Sequence, residues 1–274
     1  MHDRVRAAVI GHVELIEFVP VEHVPGPGEI VSAGDSWIEA AGGGAVAAVQ
    51  LSKLADSVLF FTALATDELG RGAKAELEER GIEVHATALE PPQRRGFTFV
   101  DEVGERTITT IGPKRGPRGH DDSLPWLELS ACDAVYYCAG DVDALVAGRR
   151  ARVLVATARE LGTLQRGAVE LDALVGSGKD EAELYQPGDL DPAPRLVVTT
   201  AGALGGWAQP GGPFTGAPAP VPRADSYGAG DCFVAGLAFA LASELETTDA
   251  LAFAARCGAG ALAGAGVYAE HVPL

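Results

Sequence analysis

Apolar residues fall in short runs that alternate along the chain with segments of helical character. A continuous apolar run of about 4–8 residues bounded by turn residues is typical of a buried strand. We therefore predict strands at Arg6–Ile10, Ser57–Leu64, Ile82–Ala86, Ala134–Cys138, Val153–Ala156 and Leu196–Thr200, and helices at Ala45–Leu54, Asp67–Arg80, Phe233–Ala242 and Thr248–Ala263. Strands that alternate with helices in this way predict an α/β fold, with a parallel sheet covered on both faces.

Two stretches, near 12–40 and 97–111, break this alternation. The first contains two predicted strands, Glu14–Val24 and Gly28–Ile38, separated by a Pro-Gly-Pro-Gly turn. The second alternates polar and apolar residues on either side of a turn at Gly104, which indicates a hairpin. We predict a small antiparallel flap here. Its exposed apolar residues, such as Ile38, suggest a homodimer contact through the flap.

Composition narrows the class of protein. The chain has 274 residues, 47% of them hydrophobic, which fits a globular protein of one large or two small domains. Its formal net charge of −17 argues against a nucleic-acid or anionic-membrane partner. Four cysteines without metal-binding spacing, and no apolar segment suited to secretion or membrane insertion, predict a cytoplasmic protein with reduced thiols.

The most informative segment is Asp225-Ser-Tyr-Gly-Ala-Gly-Asp231, which runs directly into an apolar helix. A glycine turn that opens a helix directs unpaired N–H groups toward one point, and the helix dipole favours an anion there. An acid at that point suits a reaction in which a carboxylate takes a proton from an attacking hydroxyl during phosphoryl transfer. The alternative is a tight turn in which Asp231 only caps the helix.

This segment resembles the second signature of the pfkB (ribokinase-like) carbohydrate kinases, usually written DTxGAGD. Other parts of the chain are similar to the same family: the first strand at Val9-Ile10-Gly11, the turn Pro25–Glu29, the diglycine Gly42-Gly43, the hairpin 97–109 and the segment Val197–Gly202. The resemblance implies a Rossmann-like three-layer α/β/α domain spanning 1–274, with a small β-sheet lid formed by 12–40 and 97–111. It also implies transfer of the ATP γ-phosphoryl group to an alcohol.

The resemblance assigns roles at the nucleotide side residue by residue. Asp231 lies at the position of the catalytic base, and Gly228, Ala229 and Gly230 at that of the anion hole. Glu181 matches the family's N-x-x-E glutamate, which organises Mg²⁺ through water, although Gly178 replaces the asparagine. The remaining matches are Thr200 and Gly202 at the nucleotide contacts, and Asp225 at a position that in several members supports a monovalent-cation loop such as one for K⁺.

The acceptor side departs from the family pattern. The sugar-binding strand often has G-x-x-N-x-D, but here Glu14 replaces the asparagine and Ile16 the aspartate, and the chain contains no asparagine at all. Lost hydrogen bonds to sugar hydroxyls cost about 1–3 kcal/mol each, so we do not predict ribokinase activity. The acceptor is expected to be another sugar, a sugar acid or a nucleoside, bound against Glu14 and the diglycine.

Arg159 follows a predicted buried strand and is a candidate cation for the transferring phosphoryl group or an acidic acceptor. An ordinary surface arginine is the alternative. Two functions therefore stay open from the sequence. The first is an ATP- and Mg²⁺-dependent small-molecule kinase. The second is a catalytically altered protein of the same fold that binds a ligand or regulates another process.

Overall fold

A computed structural model describes residues 4–219 and 224–267. In chain order the strands are β1 (Arg6–Ile10), β2 (Glu14–Pro20), β3 (Trp37–Ala41), β4 (Ser57–Ala65), β5 (Ile82–Leu89), β6 (Arg95–Val100), β7 (Arg106–Ile111), β8 (Ala134–Tyr137), β9 (Val153–Thr157), β10 (Ala173–Ser177), β11 (Val197–Thr200), β12 (Gly206–Gln209) and β13 (Gly212–Phe214). The helices are α1 (Gly43–Ser52), α2 (Glu68–Glu78), α3 (Val142–Gly148), α4 (Leu161–Gly167), α5 (Ala229–Ala242) and α6 (Thr247–Gly260).

The main sheet has the order β13-β12-β11-β10-β9-β8-β1-β4-β5. Its neighbours from β11 to β5 pair in parallel, and β12 and β13 are added antiparallel at one edge. Helices cover both faces, which confirms the predicted three-layer α/β/α fold. The predicted strands were found because strands buried on both faces are uninterrupted apolar runs.

The two faces of the sheet belong to two separate cores. Side chains of a strand alternate between faces, so Val9 of β1 packs in one core and Ile10 in the other. The first core contains residues of α1, α5 and α6, and the second contains residues of α3 and α4. Among the helices of the described ranges, none combines the length and apolar character needed to cross a bilayer.

The lid is a second sheet with the order β3-β2-β6-β7. Our prediction of an antiparallel flap is wrong at its centre, because β2 and β6 pair in parallel. Each of these two strands follows a parallel strand of the main sheet, β1 or β5, and therefore leaves it in the same direction. The strand predicted at Gly28–Ile38 is also wrong over most of its length, because the observed strand β3 begins only at Trp37. The strand predicted at Glu14–Val24 is present but ends at Pro20.

The outer edge of the lid is open. Every residue of β7 is exposed, and Ile38, Ile108 and Ile111 are large apolar side chains on this sheet that solvent reaches. The homodimer contact through the lid stays a prediction. So does the division of 1–274 into a single domain, whose two ends lie outside the described residues.

Candidate active site

The turn before α5 forms the candidate anion site. Gly228 is the N-cap of α5 and has a φ of 74°, a left-handed conformation that favours glycine. The first intrahelical bond runs from the Cys232 N–H to the Gly228 carbonyl (2.9 Å). The N–H groups of Ala229, Gly230 and Asp231 precede that bond, and no side chain caps them. These N–H groups are thus free to bind an anion, and the dipole of a 14-residue helix supports it.

The alternative interpretation placed Asp231 at the N-cap of the helix, but the N-cap is Gly228. Asp231 lies within the first turn of α5, because the helix begins at Ala229 rather than at the predicted Phe233. The Tyr136 hydroxyl at the end of β8 donates a hydrogen bond to its Oδ1 (3.3 Å). Burial raises the pKa of Asp231, and the nearby charge of Arg106 counteracts part of that rise. A carboxylate with a raised pKa accepts a proton more readily than an ordinary aspartate.

The diglycine at the start of α1 lies directly against this carboxylate. A Cβ placed on Gly43 would be 2.7 Å from Asp231 Oδ1. Gly42 has a φ of 87°, and its N–H donates to the Tyr227 hydroxyl (3.0 Å). A Cβ on Gly228 would in turn be 2.7 Å from Cγ1 of Val46. The start of α1 and the start of α5 therefore meet, and glycines permit this close approach.

We expect Gly43→Ala to reduce turnover by roughly 100-fold, because the added methyl group must displace the Asp231 carboxylate from its present position. Gly72→Ala in α2 is the matched control, since nothing lies within 4 Å of its added Cβ. The control should keep full activity and gain about 0.5–1 kcal/mol of stability. Steady-state kinetics with thermal unfolding measures both. Full activity of the Gly43 variant would mean that the carboxylate position does not matter.

On the acceptor side, β1 and β2 present a buried charged cluster. Glu14 Oε2 accepts a hydrogen bond from Arg94 Nε (2.7 Å), and Oε1 lies 3.4 Å from His12 Nε2. Burial is the main cause that lowers the pKa of His12, which keeps the ring neutral near neutral pH. The Nδ1 atom of His12 is buried without a hydrogen-bond partner. The structure thus ties Glu14 to two protein groups and leaves His12 with a free polar atom.

Arg94→Met should destabilise the protein by about 3 kcal/mol, because it leaves the Glu14 carboxylate buried without its cation. The two side chains are 16% and 10% exposed. Lys74→Met is the control, since the Lys74–Glu78 pair is half-exposed and is worth below about 1 kcal/mol. Adding Glu14→Gln to Arg94→Met should recover part of the loss. Denaturant unfolding of the four proteins tests this, and equal losses in both single variants would contradict the argument.

The lid contacts the turn that precedes α5. Arg106 donates to the Ser226 carbonyl, and its guanidinium lies 5.4 Å from the centre of the Tyr227 ring. The Ser226 hydroxyl donates to Glu105 (2.9 Å). Arg106 thus ties the lid to the turn before α5, and its charge counteracts part of the burial-driven rise in the pKa of Asp231.

The predicted nucleotide contacts lie together at the ends of β10 and β11. Ser177 is in register with Thr200, and the Gly178 N–H donates to the Thr200 carbonyl (2.8 Å). Gly202 has a φ of 64°, and a Cβ on it would be 3.5 Å from Lys179 Nζ. Lys179 therefore supplies a cation beside Gly202 that our sequence analysis did not assign.

The acidic turn after β10 carries two carboxylates in different environments. Glu181 is exposed on the 3₁₀ turn Glu181–Glu183. Glu183 instead is mostly buried, accepts from the Ser177 N–H (2.9 Å), and forms an ion pair with Arg159. Arg159 also pairs with Asp180 (2.7 Å), so its charge is already matched by two carboxylates. The structure thus brings Arg159 to Glu183 rather than leaving it as an unpaired cation.

Asp225 is almost fully buried, with 1% of its surface exposed. Its two carboxylate oxygens accept the main-chain N–H groups of Tyr227 (2.8 Å) and Gly266 (3.1 Å). Burial raises its pKa. These contacts show Asp225 fastening the turn before α5 to the segment after α6, and the monovalent cation stays a prediction.

Comparison with known proteins assigns the chain to a family. The family model for pfkB carbohydrate kinases matches residues 5–165 and 167–273. The chain belongs to the pfkB family. The resemblance inferred from the sequence is thereby confirmed. A comparison with curated protein sequences finds no match.

Solved structures share the fold of this pfkB chain at low sequence identity. A putative ribokinase from Agrobacterium tumefaciens is 19% identical, with a TM-score of 0.80 over 98% of this chain and 94% of its own. An adenosine kinase from Sinorhizobium meliloti is 18% identical, with a TM-score of 0.77 over 99% and 97%. A ribokinase from Cryptococcus neoformans in complex with ADP is 20% identical, with a TM-score of 0.72 over 96% of each chain.

Four side chains near the site of this pfkB chain were missed or left unassigned by our sequence analysis, namely Tyr136, Arg106, Lys179 and Glu183. Tyr136 lay inside an apolar strand, where an aromatic residue is expected for packing alone. Glu183 follows Glu181 by two residues, so the sequence could have named either carboxylate. Arg106 was part of the predicted hairpin, but no pattern joins a hairpin residue to a turn 120 residues later.

Proposed function

We propose that this pfkB-family protein phosphorylates a hydroxyl group of a sugar, sugar acid or nucleoside with ATP. One observation carries the proposal: Asp231 lies in the first turn of α5, beside the free N–H groups that follow Gly228. A carboxylate that served only to cap the helix would accept a hydrogen bond from one of its first N–H groups, and no side chain caps α5. A base beside an anion cradle is what transfer to an alcohol requires.

In the proposed step, the acceptor oxygen attacks the γ-phosphorus of ATP while its proton passes to the Asp231 carboxylate. The bond between the γ-phosphorus and the β,γ-bridging oxygen breaks, and ADP leaves with that electron pair. The N–H groups of Ala229 and Gly230 donate to the oxygens of the transferring group. Such fixed donors stabilise the developing charge without reorganisation. Arg106 adds a positive charge from the lid.

We propose that the nucleotide lies across Thr200 and Gly202, with Lys179 beside its phosphates. The exposed carboxylate of Glu181 fits an Mg²⁺ held through water, because Mg²⁺ keeps several of its waters and binds proteins through one or two carboxylates together with substrate phosphates. When bound, Mg²⁺ supplies charge neutralisation between the phosphate oxygens. Glu183 is held by Arg159 and the Ser177 N–H, so its contribution is to fix the turn that carries Glu181.

We propose that the acceptor lies between the diglycine and β1. Glu14 pairs with Arg94 and His12. It therefore contributes to the shape and charge balance of the pocket more than to direct hydrogen bonds with the acceptor. The neutral ring of His12 offers a donor or acceptor to one acceptor hydroxyl. With Ile16 fully buried and apolar, the pocket lacks the paired polar groups of a ribose site.

The pH dependence of kcat/KM should follow the raised pKa of Asp231. Below that pKa the carboxyl group is protonated and cannot accept the acceptor's proton, so activity rises with pH through it. The midpoint should lie above about 3.9, the usual value for aspartate. Thermal unfolding at each pH separates this effect from loss of fold. A midpoint at or below the usual value would contradict the role of burial at this site.

The proposal is tested by ADP release over a panel of sugars, sugar acids and nucleosides. The expected result is acceptor-dependent release with at least one class. The second function considered above, a ligand-binding or regulatory protein, is favoured by the engaged Glu14 and apolar Ile16 on the acceptor strand. Ligand-dependent thermal stabilisation with no ADP release across the whole panel would support it and refute the kinase.

A further inference from the structure

Tyr136 is a buried phenol on the face of the main sheet that α5 covers. It is 1% exposed, and it lies in register with Val9 of β1 and Val155 of β9, which belong to the same apolar core. A buried hydroxyl group costs free energy unless it forms a hydrogen bond. A phenylalanine ring would fill this core without that cost, so the hydroxyl of Tyr136 needs a partner that offsets it.

Asp231 is that partner. The Tyr136 hydroxyl donates to Oδ1 of Asp231 (3.3 Å), and it forms no other hydrogen bond with the described residues. Burial, followed by the nearby charge of Asp231, raises the pKa of Tyr136 well above its ordinary value. The phenol therefore keeps its proton at every pH at which this site is active, and it remains a donor to the carboxylate.

The two carboxylate oxygens of Asp231 have different surroundings. Oδ1 lies between the Tyr136 hydroxyl and the diglycine, since a Cβ added to Gly43 would be 2.7 Å from it. The same Cβ would be 3.5 Å from Oδ2. None of the described residues donates a hydrogen bond to Oδ2, and Asp231 is partly exposed. Oδ2 is thus the oxygen that an incoming group can reach.

We propose that Tyr136 is a positioning residue for the base: its hydroxyl holds Oδ1 of Asp231, so that Oδ2 takes the proton of the acceptor hydroxyl. This role rests on the phosphoryl transfer proposed above. In that step the acceptor O–H bond breaks and the proton bonds to Oδ2. The acceptor oxygen keeps the electron pair with which it attacks the γ-phosphorus. Tyr136 retains its own proton and fixes the orientation of the carboxylate.

The same hydrogen bond favours the ionised form of Asp231. Burial raises the pKa of this carboxyl group, and the Tyr136 hydroxyl counteracts part of that rise. Without the hydroxyl the pKa should be higher still, which moves activity to higher pH. The titratable and charged groups that face Asp231 are His12, Arg106, Tyr136, Cys138, Glu183, Tyr227 and Cys232. Replacing Tyr136 alone leaves the other groups in place, so the change in pH dependence reports on one hydrogen bond.

Tyr136→Phe removes the hydroxyl and keeps the ring. Tyr137→Phe is the matched control, because Tyr137 is the next residue of β8, is equally buried and lies in the other core. Its hydroxyl donates to the carbonyl groups of Gly140 (2.7 Å) and Asp141 (3.3 Å), away from the site. Thermal unfolding establishes that both variants fold.

We expect Tyr136→Phe to lower kcat by about tenfold, because the carboxylate is no longer held in one orientation. The KM for ATP should be unchanged, and the midpoint of the pH dependence of kcat/KM should move to higher pH. Tyr137→Phe should match wild type in all three. Equal kcat and equal midpoints in Tyr136→Phe and wild type would overturn the proposal.

A double variant shows whether Tyr136 acts through Asp231. In Asp231→Asn the proton acceptor is already lost, so adding Tyr136→Phe should lower kcat by less than about twofold further. A further loss as large as that in the wild-type background would mean that Tyr136 acts independently of the base, and it would also overturn the proposal.

A titration without turnover separates this inference from the kinase assignment. NMR of protein with ¹³C-labelled aspartate carboxyl groups gives the pKa of Asp231, whose signal is absent from Asp231→Asn. That pKa should be higher in Tyr136→Phe than in wild type and unchanged in Tyr137→Phe. An active wild type with the same pKa and kcat in Tyr136→Phe would refute the role of Tyr136 and leave the kinase standing. A raised pKa with no phosphoryl transfer by wild type would refute the kinase and leave the hydrogen bond standing.

Discussion

Asp231→Asn should lower kcat by about 10³-fold, because the amide cannot take the proton of the attacking hydroxyl. The substitution keeps the size and shape of the side chain, so the N–H groups after Gly228 stay in place. The affinity for nucleotide should therefore change less than threefold, on the order of 0.6 kcal/mol. Steady-state kinetics and equilibrium binding of ATP separate the two effects.

The stability of this variant provides an internal check. Burial raises the pKa of Asp231, so the ionised carboxylate is less stable in the folded protein than in the unfolded chain. The stability contribution of this group is present at low pH and is lost as pH rises through the raised pKa. At neutral pH, Asp231→Asn should leave the melting temperature equal or higher. A variant that is both inactive and clearly destabilised would indicate a structural carboxylate instead.

Gly228→Ala should reduce kcat by about 10²–10³-fold and destabilise the protein by about 1–2 kcal/mol. Its φ of 74° is costly for any residue with a Cβ, and that Cβ would lie 2.7 Å from Cγ1 of Val46. The turn must shift to relieve the contact, and the N–H groups that follow it then lose their common direction.

Gly230→Ala is the matched control for this prediction, two residues later in the same turn. Its added Cβ would meet nothing within 4 Å, and the residue already lies in the helix. The control should fold normally and keep at least about a tenth of the activity, since its N–H group is retained. If both glycine variants lost activity equally, substrate crowding rather than the conformation of the turn would be responsible.

Most of the main sheet could be predicted from the sequence, because its predicted strands are apolar runs with turn residues at their ends, but β10, β12 and β13 were not predicted. The start of α5 could not be predicted from the sequence. Ala229, Gly230 and Asp231 carry no apolar periodicity, and glycine disfavours a helix interior, yet tertiary contacts with Val46 and Tyr136 hold the first turn there. The lid was predicted in part: β2 and the hairpin of β6 and β7 were predicted, whereas β3 begins only at Trp37. The parallel pairing of β2 with β6 could not be predicted, because it depends on where each strand leaves the main sheet.

The motif residues could be assigned by resemblance, whereas their partners could not. Asp231 and Tyr136 are 95 positions apart, and Glu14 and Arg94 are 80 apart. No local pattern joins residues at such separations; they meet because α5 packs against β8 and because β2 pairs with β6 in the lid. The pairing of Glu14 with Arg94 and His12 is therefore visible only in the structure. It changes the expected acceptor pocket, because these protein groups already occupy the Glu14 carboxylate.

The role of Asp231 in phosphoryl transfer is tested most directly by following the γ-phosphoryl group itself. ATP labelled with ³²P at the γ position is incubated with each acceptor class, using wild-type protein and the Asp231→Asn variant in parallel. With wild type, label should pass to an acceptor hydroxyl, and with the variant the rate of transfer should fall by about 10³-fold. Equal labelling by both proteins, or no labelling of any acceptor while ATP binds, would contradict it.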